Sequence, residues 1–172
     1  SIKNNMVHKE KSLRLGVIAF VSQWRLSQGV DIAGTFHSFE DFWEKPDRHI
    51  IQCMEHYAGA KNKRLMIIPT YSKGSDMYGK EEAYFNELMD GEPEFIELEG
   101  PYASYRAIDS AEIVVAIDST LGYESIARGN KTAIFSIRGT LLGDRSRNYG
   151  WPEDFPDKGP FWTNKPDPDS FD

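Results

Sequence analysis

The amino-acid sequence predicts an α/β fold, with a Rossmann-like three-layer arrangement around a five-stranded parallel sheet. Short apolar runs rich in β-branched residues recur along the chain, as in Glu112–Ile117, and such runs are typical of strands buried on both faces. Between these runs lie segments with apolar residues at helical spacing. Because the two patterns alternate, we expect parallel strands joined by helices that cover both faces of the sheet.

The order of the strands in the sheet can also be predicted. Right-handed crossovers leave few arrangements, and we predict the order 3-2-1-4-5 in chain numbering. The direction of this order reverses between the first and fourth strands, and ligands of such sheets bind there, beyond the carboxyl ends of the strands. The five predicted strands are Leu13–Val21, Lys63–Pro69, Glu94–Leu98, Glu112–Ile117 and Lys131–Ile137.

The longest predicted helix runs from Ser38 to about Ala60. Ser38 is suited to cap it, and Pro46 either kinks this helix or begins a second one, because proline is favoured in a first helical turn. Gly129 is placed as the left-handed residue that ends the last helix. The shorter predicted helices are Lys80–Met89, Ser104 (as cap) to about Ala111, and Leu121–Arg128; the longer predicted loops are Gln28–Phe36 and Thr70–Gly79.

The chain is predicted to hold one domain with a lead and a tail. Residues 1–12 are polar and are expected to form a disordered lead or linker, and residues 13–138 form the Rossmann-like domain. Residues 139–172 are rich in glycine, proline and aromatic residues, so we expect a tail that packs on the domain. The chain starts at Ser1 rather than at methionine, so we expect either a fragment of a longer protein or a trimmed chain.

Composition disfavours several classes of function. The net charge of −7 argues against a nucleic-acid partner, and no apolar run approaches the roughly 20 residues of a membrane span. The single cysteine, Cys53, leaves no internal disulfide and points to a reducing compartment. His49 and His56 could share a helix face, but no third ligand is visible, so no metal site is predicted. The first strand lacks the glycine-rich turn of NAD-dependent dehydrogenases.

The polar segment after the fourth predicted strand is the first candidate site. Ser119 and Thr120 lie between that strand and a helix, where they are suited to cap the helix. The free N–H groups and positive end of a helix favour an anion, most often a phosphate. We therefore predict a phosphate held by Ser119, Thr120 and the N–H groups of Leu121 and Gly122, with a simple capped helix as the alternative. Gly122 weakens the helix by about 1 kcal/mol, which is easier to understand if a ligand or backbone approaches closely there.

Further candidates flank this segment. Ser22, Gln23 and Arg25 follow the first strand, and Arg25 is placed either to meet a phosphate or as a plain surface arginine. Arg138 is one of three arginines that can complete the anion site, the others being Arg145 and Arg147. In the helix, Glu124 is a candidate acceptor for the ribose hydroxyls of a nucleotide. Tyr102 follows the third strand, where it would stack on a base or pack on the protein.

The stretch IDSTLGYESIARGNKTAIFSIR resembles the C-terminal, donor-binding half of a GT-B glycosyltransferase. It is most similar to bacterial surface-carbohydrate biosynthesis proteins that carry a D-S-T-L-G-Y-E segment. The opening LGVIAFVSQWR resembles the first strand and loop of that half, and the tail WPEDFPDKGPFWTN extends the resemblance over most of residues 13–164. The resemblance implies that Ser119 and Thr120 bind the donor phosphates and that Glu124 binds the ribose.

This resemblance implies the donor-binding domain of a glycosyltransferase in surface polysaccharide biosynthesis. The nucleotide sugar would be a substrate, with no cofactor and with metal-independent transfer. The glycan or lipid-linked acceptor would bind an N-terminal half that this chain does not contain, so the isolated chain is expected to bind nucleotide without transferring sugar. A cytoplasmic location is expected, with peripheral membrane attachment left open. The alternatives are a nucleotide-sugar epimerase of the same architecture and a non-catalytic sensing or assembly module.

Overall fold

The structure is a computed structural model that describes residues 14–32, 34–143 and 158–163. Its main sheet has six parallel strands in the order β5-β4-β1-β6-β7-β8, and a separate hairpin pairs β2 with β3. The strands are β1 (Arg14–Val21), β2 (Gly29–Ile32), β3 (Thr35–Ser38), β4 (Arg64–Ile68), β5 (Glu94–Phe95), β6 (Ala111–Ala116), β7 (Thr132–Phe135) and β8 (Trp162–Thr163). The helices are α1 (Lys45–Ala60), α2 (Tyr78–Leu88), α3 (Ala103–Ser110), α4 (Thr120–Ala127) and α5 (Arg138–Leu141).

The sheet confirms the α/β class and corrects the predicted strand count. The five predicted strands are neighbours in the row β5-β4-β1-β6-β7, but the sheet continues into β8. The count of five was therefore wrong, and the complete order differs from the predicted one. Strand β8 is two residues long and lies in a segment rich in glycine and proline, so its sequence shows no pattern typical of a strand. It pairs with β7 through residues such as Ile134 and Trp162.

The segment predicted as the loop Gln28–Phe36 contains most of the β2–β3 hairpin instead. Val30 pairs with His37 and Asp31 with Phe36 in antiparallel register, and Gly34 in the turn has a φ of 81°. A positive φ of this kind is available to glycine without steric cost. The strands are only four residues long and mix polar with apolar side chains, which explains why the sequence pattern did not predict them.

The long helix begins with a π-helical turn. This turn, Glu40–Glu44, runs directly into α1, and Pro46 lies in the first turn of α1 as one of the two alternatives expected. Ser38 Oγ accepts from the Asp41 N–H at 3.1 Å. By contrast, Ser104 does not cap α3, because that helix begins one residue earlier, at Ala103, after a left-handed Tyr102.

The sheet is buried on both faces, which produces the three-layer arrangement. Alternate residues of β1 point to opposite sides, so Ile18 packs in the core under α1 and α2, whereas Ala19 packs in the core under α3. The first core contains Ile50, Met54 and Phe85 among its helical residues, and the second contains Ile108. Among the residues that the structure describes, no helix combines the length and apolar character needed to cross a bilayer.

A charged group holds the bulged start of β1 against β6. The register between the two strands shifts between Arg14 and Ile18, and Gly16 within this bulge has a φ of 80°. Glu112 of β6 accepts from the Gly16 N–H at 2.6 Å and from Lys63 Nζ at 2.6 Å. These two contacts fix the bulge and the end of the loop before β4. The bond from Lys63, followed by that from Gly16, lowers the pKa of Glu112 below its ordinary value of 4.5.

Glu112→Gln is expected to lower the free energy of unfolding by about 1–2 kcal/mol at pH 7, because it removes the negative charge and leaves one acceptor oxygen where Glu112 uses two. A carboxyl group whose pKa is lowered by folding stabilises the fold above its ordinary pKa, and that contribution disappears as the pH falls through the lowered value. The difference between wild type and variant should therefore shrink toward pH 3. Urea unfolding at both pH values measures this.

The matched control for this prediction is Glu97→Gln, which removes an exposed ion pair with Lys73 at 3.0 Å. Exposed pairs contribute less than about 1 kcal/mol, so this variant should stay close to wild type. Equal effects of the two substitutions at pH 7 would contradict the assigned role of Glu112.

Candidate functional site

Two clefts open beyond the carboxyl ends of the strands, where the strand order reverses between β1 and β6. The first, which we call the serine cleft, has a volume of about 550 Å³, and the second, the arginine cleft, about 450 Å³. Thr70 lines both clefts. The serine cleft is defined by Ser22, Thr70, Gly100, Tyr102, Ser119 and Leu121, and the arginine cleft by Gln23, Arg25, Phe42, Trp43, Asp118 and Arg138.

Ser119 caps α4, as the sequence predicts. Its backbone is extended, and its Oγ accepts from the Leu121 N–H at 3.3 Å. The Gly122 N–H donates to the Ser119 carbonyl oxygen at 2.9 Å. The two N–H groups predicted to bind phosphate are therefore already used within the first turn of the helix. The Ser119 hydroxyl can still donate its hydrogen to a ligand, and Thr120 is exposed beside it.

Gly122 faces the sheet and not the ligand space. A Cβ at this position would lie 2.6 Å from the Cβ of Ala116 and 2.9 Å from Cδ1 of Ile134. The glycine is buried, and it lets α4 approach β6 and β7 closely. The sequence led us to expect a ligand or backbone close to this glycine, but the groups that approach it here are two core side chains. Gly122 is thus a packing residue of the fold.

Tyr102 presents an aromatic ring at the edge of the serine cleft. Its side chain is 50% exposed, and its ring stacks on that of Tyr105 at a centroid distance of 6.2 Å with an interplanar angle of 5°. Its φ of 60° is unusual for a residue other than glycine, and such strain gathers at ligand-binding sites. This geometry leaves one face of an aromatic platform available to a planar ligand.

Glu124 lies beside this platform and outside the lining of the serine cleft. Burial, and after it the nearby Glu124 carboxylate, raises the pKa of the Tyr105 hydroxyl. The Glu124 carboxylate therefore lies beside Tyr105, the buried ring of the stacked pair. A ribose would have to reach the edge of the stack to meet it.

A buried carboxylate holds Ser22 in place. The Ser22 hydroxyl donates to Glu81 Oε1 at 2.5 Å, and Glu81 also accepts from the N–H groups of Thr70 at 2.9 Å and Tyr71 at 3.1 Å. Burial raises the pKa of Glu81, and these hydrogen bonds oppose the rise. Glu81 thus ties the ends of β1 and β4 together. Sequence reasoning missed it, because an acidic residue in the first turn of a helix is commonplace.

Arg138 is the central residue of the arginine cleft and is only 2% exposed. Its Nε donates to the Phe42 carbonyl oxygen at 2.6 Å, and its Nη1 donates to Gln23 Oε1 at 3.3 Å and forms an ion pair with Asp118. Within the described part of the chain, its Nη2 has no acceptor. Arg25 is exposed, and its guanidinium lies 4.7 Å from the ring centroid of Trp43.

Asp47 is a second buried acid that sequence reasoning missed, since it too lies in the first turn of a helix. The Tyr84 hydroxyl donates to its Oδ2 at 3.0 Å. Burial raises the pKa of Asp47 to about 7, although the positive charge of Arg138 opposes the rise. The positive charge of Arg138 therefore acts on two carboxyl groups, that of its ion-pair partner Asp118 and that of Asp47.

The predicted site residues are thus divided between two places. Ser22, Ser119, Leu121 and Tyr102 line the serine cleft, whereas Gln23, Arg25 and Arg138 line the arginine cleft. Thr120, Gly122 and Glu124 line neither cleft. Arg145 and Arg147, the alternatives to Arg138, fall outside the described residues. Over the ranges described, no group of three or more His, Cys, Asp and Glu side chains is arranged to hold a metal ion.

These features define an α/β protein consistent with a Rossmann-like architecture, with two polar clefts at the switch point of its parallel sheet. The chain belongs to a family described as "putative O-antigen biosynthesis protein", which it matches over residues 1–172. This membership agrees with the expected role in polysaccharide biosynthesis. No curated protein and no solved structure matches the chain.

Proposed function

We propose that the chain is the donor-binding domain of a glycosyltransferase that builds surface polysaccharide, with a nucleotide sugar as its ligand. One observation carries the proposal: Ser22, Ser119 and Tyr102 meet in a single cleft at the switch point between β1 and β6. Open α/β sheets bind nucleotides at such a point. The family supports the polysaccharide part of the proposal.

The serine cleft offers a different kind of contact to each part of a nucleotide. The exposed ring of Tyr102, supported by Tyr105, is suited to stack on a base. The hydroxyl of Ser119 can donate to a phosphate oxygen near the N-terminal end of α4, where the helix dipole favours negative charge. The Thr70 hydroxyl already donates to the Ser22 carbonyl oxygen at 3.2 Å. Glu124, beside Tyr105, is the candidate acceptor for ribose hydroxyls.

The lining of this cleft also supports binding without catalysis by the isolated chain. Among the described residues that line it, none is an aspartate, glutamate, histidine, lysine or arginine. A glycosyltransferase needs a general base for the acceptor hydroxyl, so that base and the acceptor would come from a separate half of the protein. The same lining fits a non-catalytic nucleotide-sensing module, which would bind a nucleotide but would not act in sugar transfer in any assembly.

Tyr102→Ala is expected to weaken nucleotide binding by about tenfold. Stacking of a base on an aromatic ring contributes about 1–3 kcal/mol, and 1.4 kcal/mol corresponds to a factor of ten. Calorimetric titration of the folded chain with UDP, GDP, ADP and CMP identifies the base that binds best and then measures this loss. The full-length protein should transfer the sugar from the corresponding nucleotide sugar to an acceptor and release the nucleotide. The isolated chain should not perform this transfer.

The matched control is Phe36→Ala, which removes another exposed aromatic ring, on β3 and outside the serine cleft. Its nucleotide affinity should equal that of wild type. The proposal is wrong if no nucleotide binds the wild-type chain, or if both alanine variants bind as tightly as wild type. Binding by the full-length protein without any transfer would favour the sensing module.

A further inference from the structure

The arginine cleft brings two guanidinium groups to one opening. Arg25 lies 4.7 Å from the ring centroid of Trp43, and Arg138 lies 4.9 Å from that of Phe42. The two rings belong to consecutive residues and contact each other edge to face, with centroids 4.7 Å apart. Each guanidinium is therefore positioned by one member of an aromatic pair, and both like charges face the same cleft. Like charges at short distance repel unless a negative group joins them.

The hydrogen bonds and ion pairs in the cleft leave room for such a group. Asp118 is the one carboxylate among the described residues that forms an ion pair with Arg138, and none of them forms one with Arg25. The Nη2 of Arg138 has no acceptor within the same part of the chain. Buried donors are nearly always satisfied, and an unsatisfied charged donor costs more than a neutral one. The described residues thus offer no oxygen acceptor to the Nη2 of Arg138.

The aromatic pair that holds the arginines lies on the π-helical turn Glu40–Glu44. Single π-helical turns occur frequently at functional sites. The walls of the cleft also include Trp24 and Tyr71, and the volume of about 450 Å³ is within the range of small-molecule sites. Apolar faces beside guanidinium groups are suited to a ring that carries both C–H groups and a negative charge.

We propose that the arginine cleft binds the oxyanion of an acidic sugar, a carboxylate or phosphate attached to a pyranose ring, as a subsite distinct from the serine cleft. The planar fork of a guanidinium matches two oxygens of either anion, and the aromatic walls contact the ring. Asp118 and the buried Asp47 offset part of the positive charge, so Arg25 supplies most of the attraction. The oxyanion site stands on these contacts alone, whereas its use for a sugar substrate rests on the proposed function.

Three probes with the same ring test this proposal: glucuronate, glucose 1-phosphate and glucose. Each is titrated into the isotope-labelled chain at constant ionic strength, and the indole N–H signals of Trp43 and Trp24 are followed by NMR. Saturable shifts are expected with at least one anionic sugar and not with glucose. A response to glucuronate identifies a carboxylate as the ligand group, and a response to glucose 1-phosphate alone identifies a phosphate. Absence of saturation with both anionic sugars, or an equal response to glucose, overturns the proposal.

The variant of choice is Arg25→Gln, because Arg25 is exposed and its loss should not unfold the chain. It should weaken binding of the anionic sugar by about tenfold, and Arg25→Lys, which keeps the charge and loses the fork, should bind with intermediate affinity. Arg64→Gln makes the same change in charge at the opposite end of the sheet, where Arg64 pairs with Glu94, and should bind as wild type. Equal affinities of Arg25→Gln and Arg64→Gln would also overturn the proposal.

This test separates the oxyanion site from the nucleotide site. Tyr102→Ala should leave binding of the anionic sugar unchanged, since Tyr102 does not line the arginine cleft. Binding of the anionic sugar by a chain that binds no nucleotide would keep the oxyanion site and remove the proposed function. Nucleotide binding without any response to the anionic sugars would remove the oxyanion site and keep the proposed function.

Discussion

Arg138→Met is expected to lower the free energy of unfolding by about 3–5 kcal/mol at neutral pH, because it leaves a buried carboxylate without its partner. The side chain of Asp118 is only 7% exposed, and that of Arg138 only 2%. The substitution also removes the donors to the Phe42 carbonyl oxygen and to Gln23. Urea unfolding at pH 7 measures the loss, provided that the slope with denaturant stays unchanged.

A double variant tests the electrostatic cause. Arg138→Met combined with Asp118→Asn removes both charges, so it should be more stable than Arg138→Met alone. Arg48→Met is the matched control, because Arg48 forms an ion pair with Glu44 at 2.8 Å that is partly exposed. Arg48 and Glu44 are one helical turn apart. That variant should lose less than about 1 kcal/mol. Similar losses for Arg138→Met and Arg48→Met would show that the buried pair does not hold the cleft together.

Much of the fold could be predicted because the central strands of the main sheet are buried on both faces. Strands β1 and β6 consist largely of apolar residues bounded by polar ones, a pattern that predicts both their extent and their parallel pairing. The two-residue strand β8 carries no such pattern, because its place at the edge depends on pairing with β7 and not on its own residues. The strands of the β2–β3 hairpin, at four residues each, are also too short for a clear pattern. Tyr102 has a left-handed backbone, and α3 begins directly after it at Ala103, one residue before the predicted cap Ser104.

The convergence of Ser22 and Ser119 was predictable for a geometric reason. Both follow parallel neighbouring strands, so both must lie at the same edge of the sheet. The division into two clefts was not predictable, since it depends on the side of the sheet toward which each loop turns. Gln23 contacts Arg138 in one cleft, whereas Ser22, one residue earlier, lines the other. Neighbours in sequence therefore serve different sites.

The buried acids show a second limit of sequence reasoning. Glu81 and Asp47 occupy first helical turns, where an acidic side chain is usually explained by the helix dipole alone. Only the structure shows that Glu81 receives hydrogen bonds from the ends of two strands and that Asp47 lies near Arg138. Both residues interact with groups that line the clefts. The positions of those groups therefore depend on buried acids, which the sequence pattern does not distinguish from surface acids.

Gly122→Val is expected to lower the free energy of unfolding by about 3 kcal/mol or more. A Cβ at this position would lie 2.6 Å from the Cβ of Ala116, an atom fixed to the backbone of β6, and 2.9 Å from Cδ1 of Ile134. The contact with Ala116 cannot be relieved without moving α4 away from the sheet, whereas Cδ1 of Ile134 is the end of a side chain that can rotate. Overpacking of this kind costs about 1–3 kcal/mol or more. Valine adds two further methyl groups and restricts its own rotamers in a helix.

Gly122→Ala compared with Gly79→Ala separates the steric effect from helix propensity. Both glycines lie in the first turn of a helix, but a Cβ at Gly79 would meet nothing within 4 Å. Gly79→Ala should therefore stabilise the fold by up to about 1 kcal/mol, since alanine is the better helix former. Gly122→Ala should instead destabilise it by about 1–3 kcal/mol. Urea unfolding of the two variants beside wild type gives the comparison.

Nucleotide binding by Gly122→Ala distinguishes the packing role from a ligand-contacting role. If the glycine serves packing, the variant should unfold at lower urea concentration and bind nucleotide with the affinity of wild type when measured well below its melting temperature. If the glycine instead leaves space for a ligand, stability would rise as in Gly79→Ala while affinity falls. The 2.6 Å approach to Ala116 favours the first outcome, because it places the missing side chain against the sheet and away from the serine cleft.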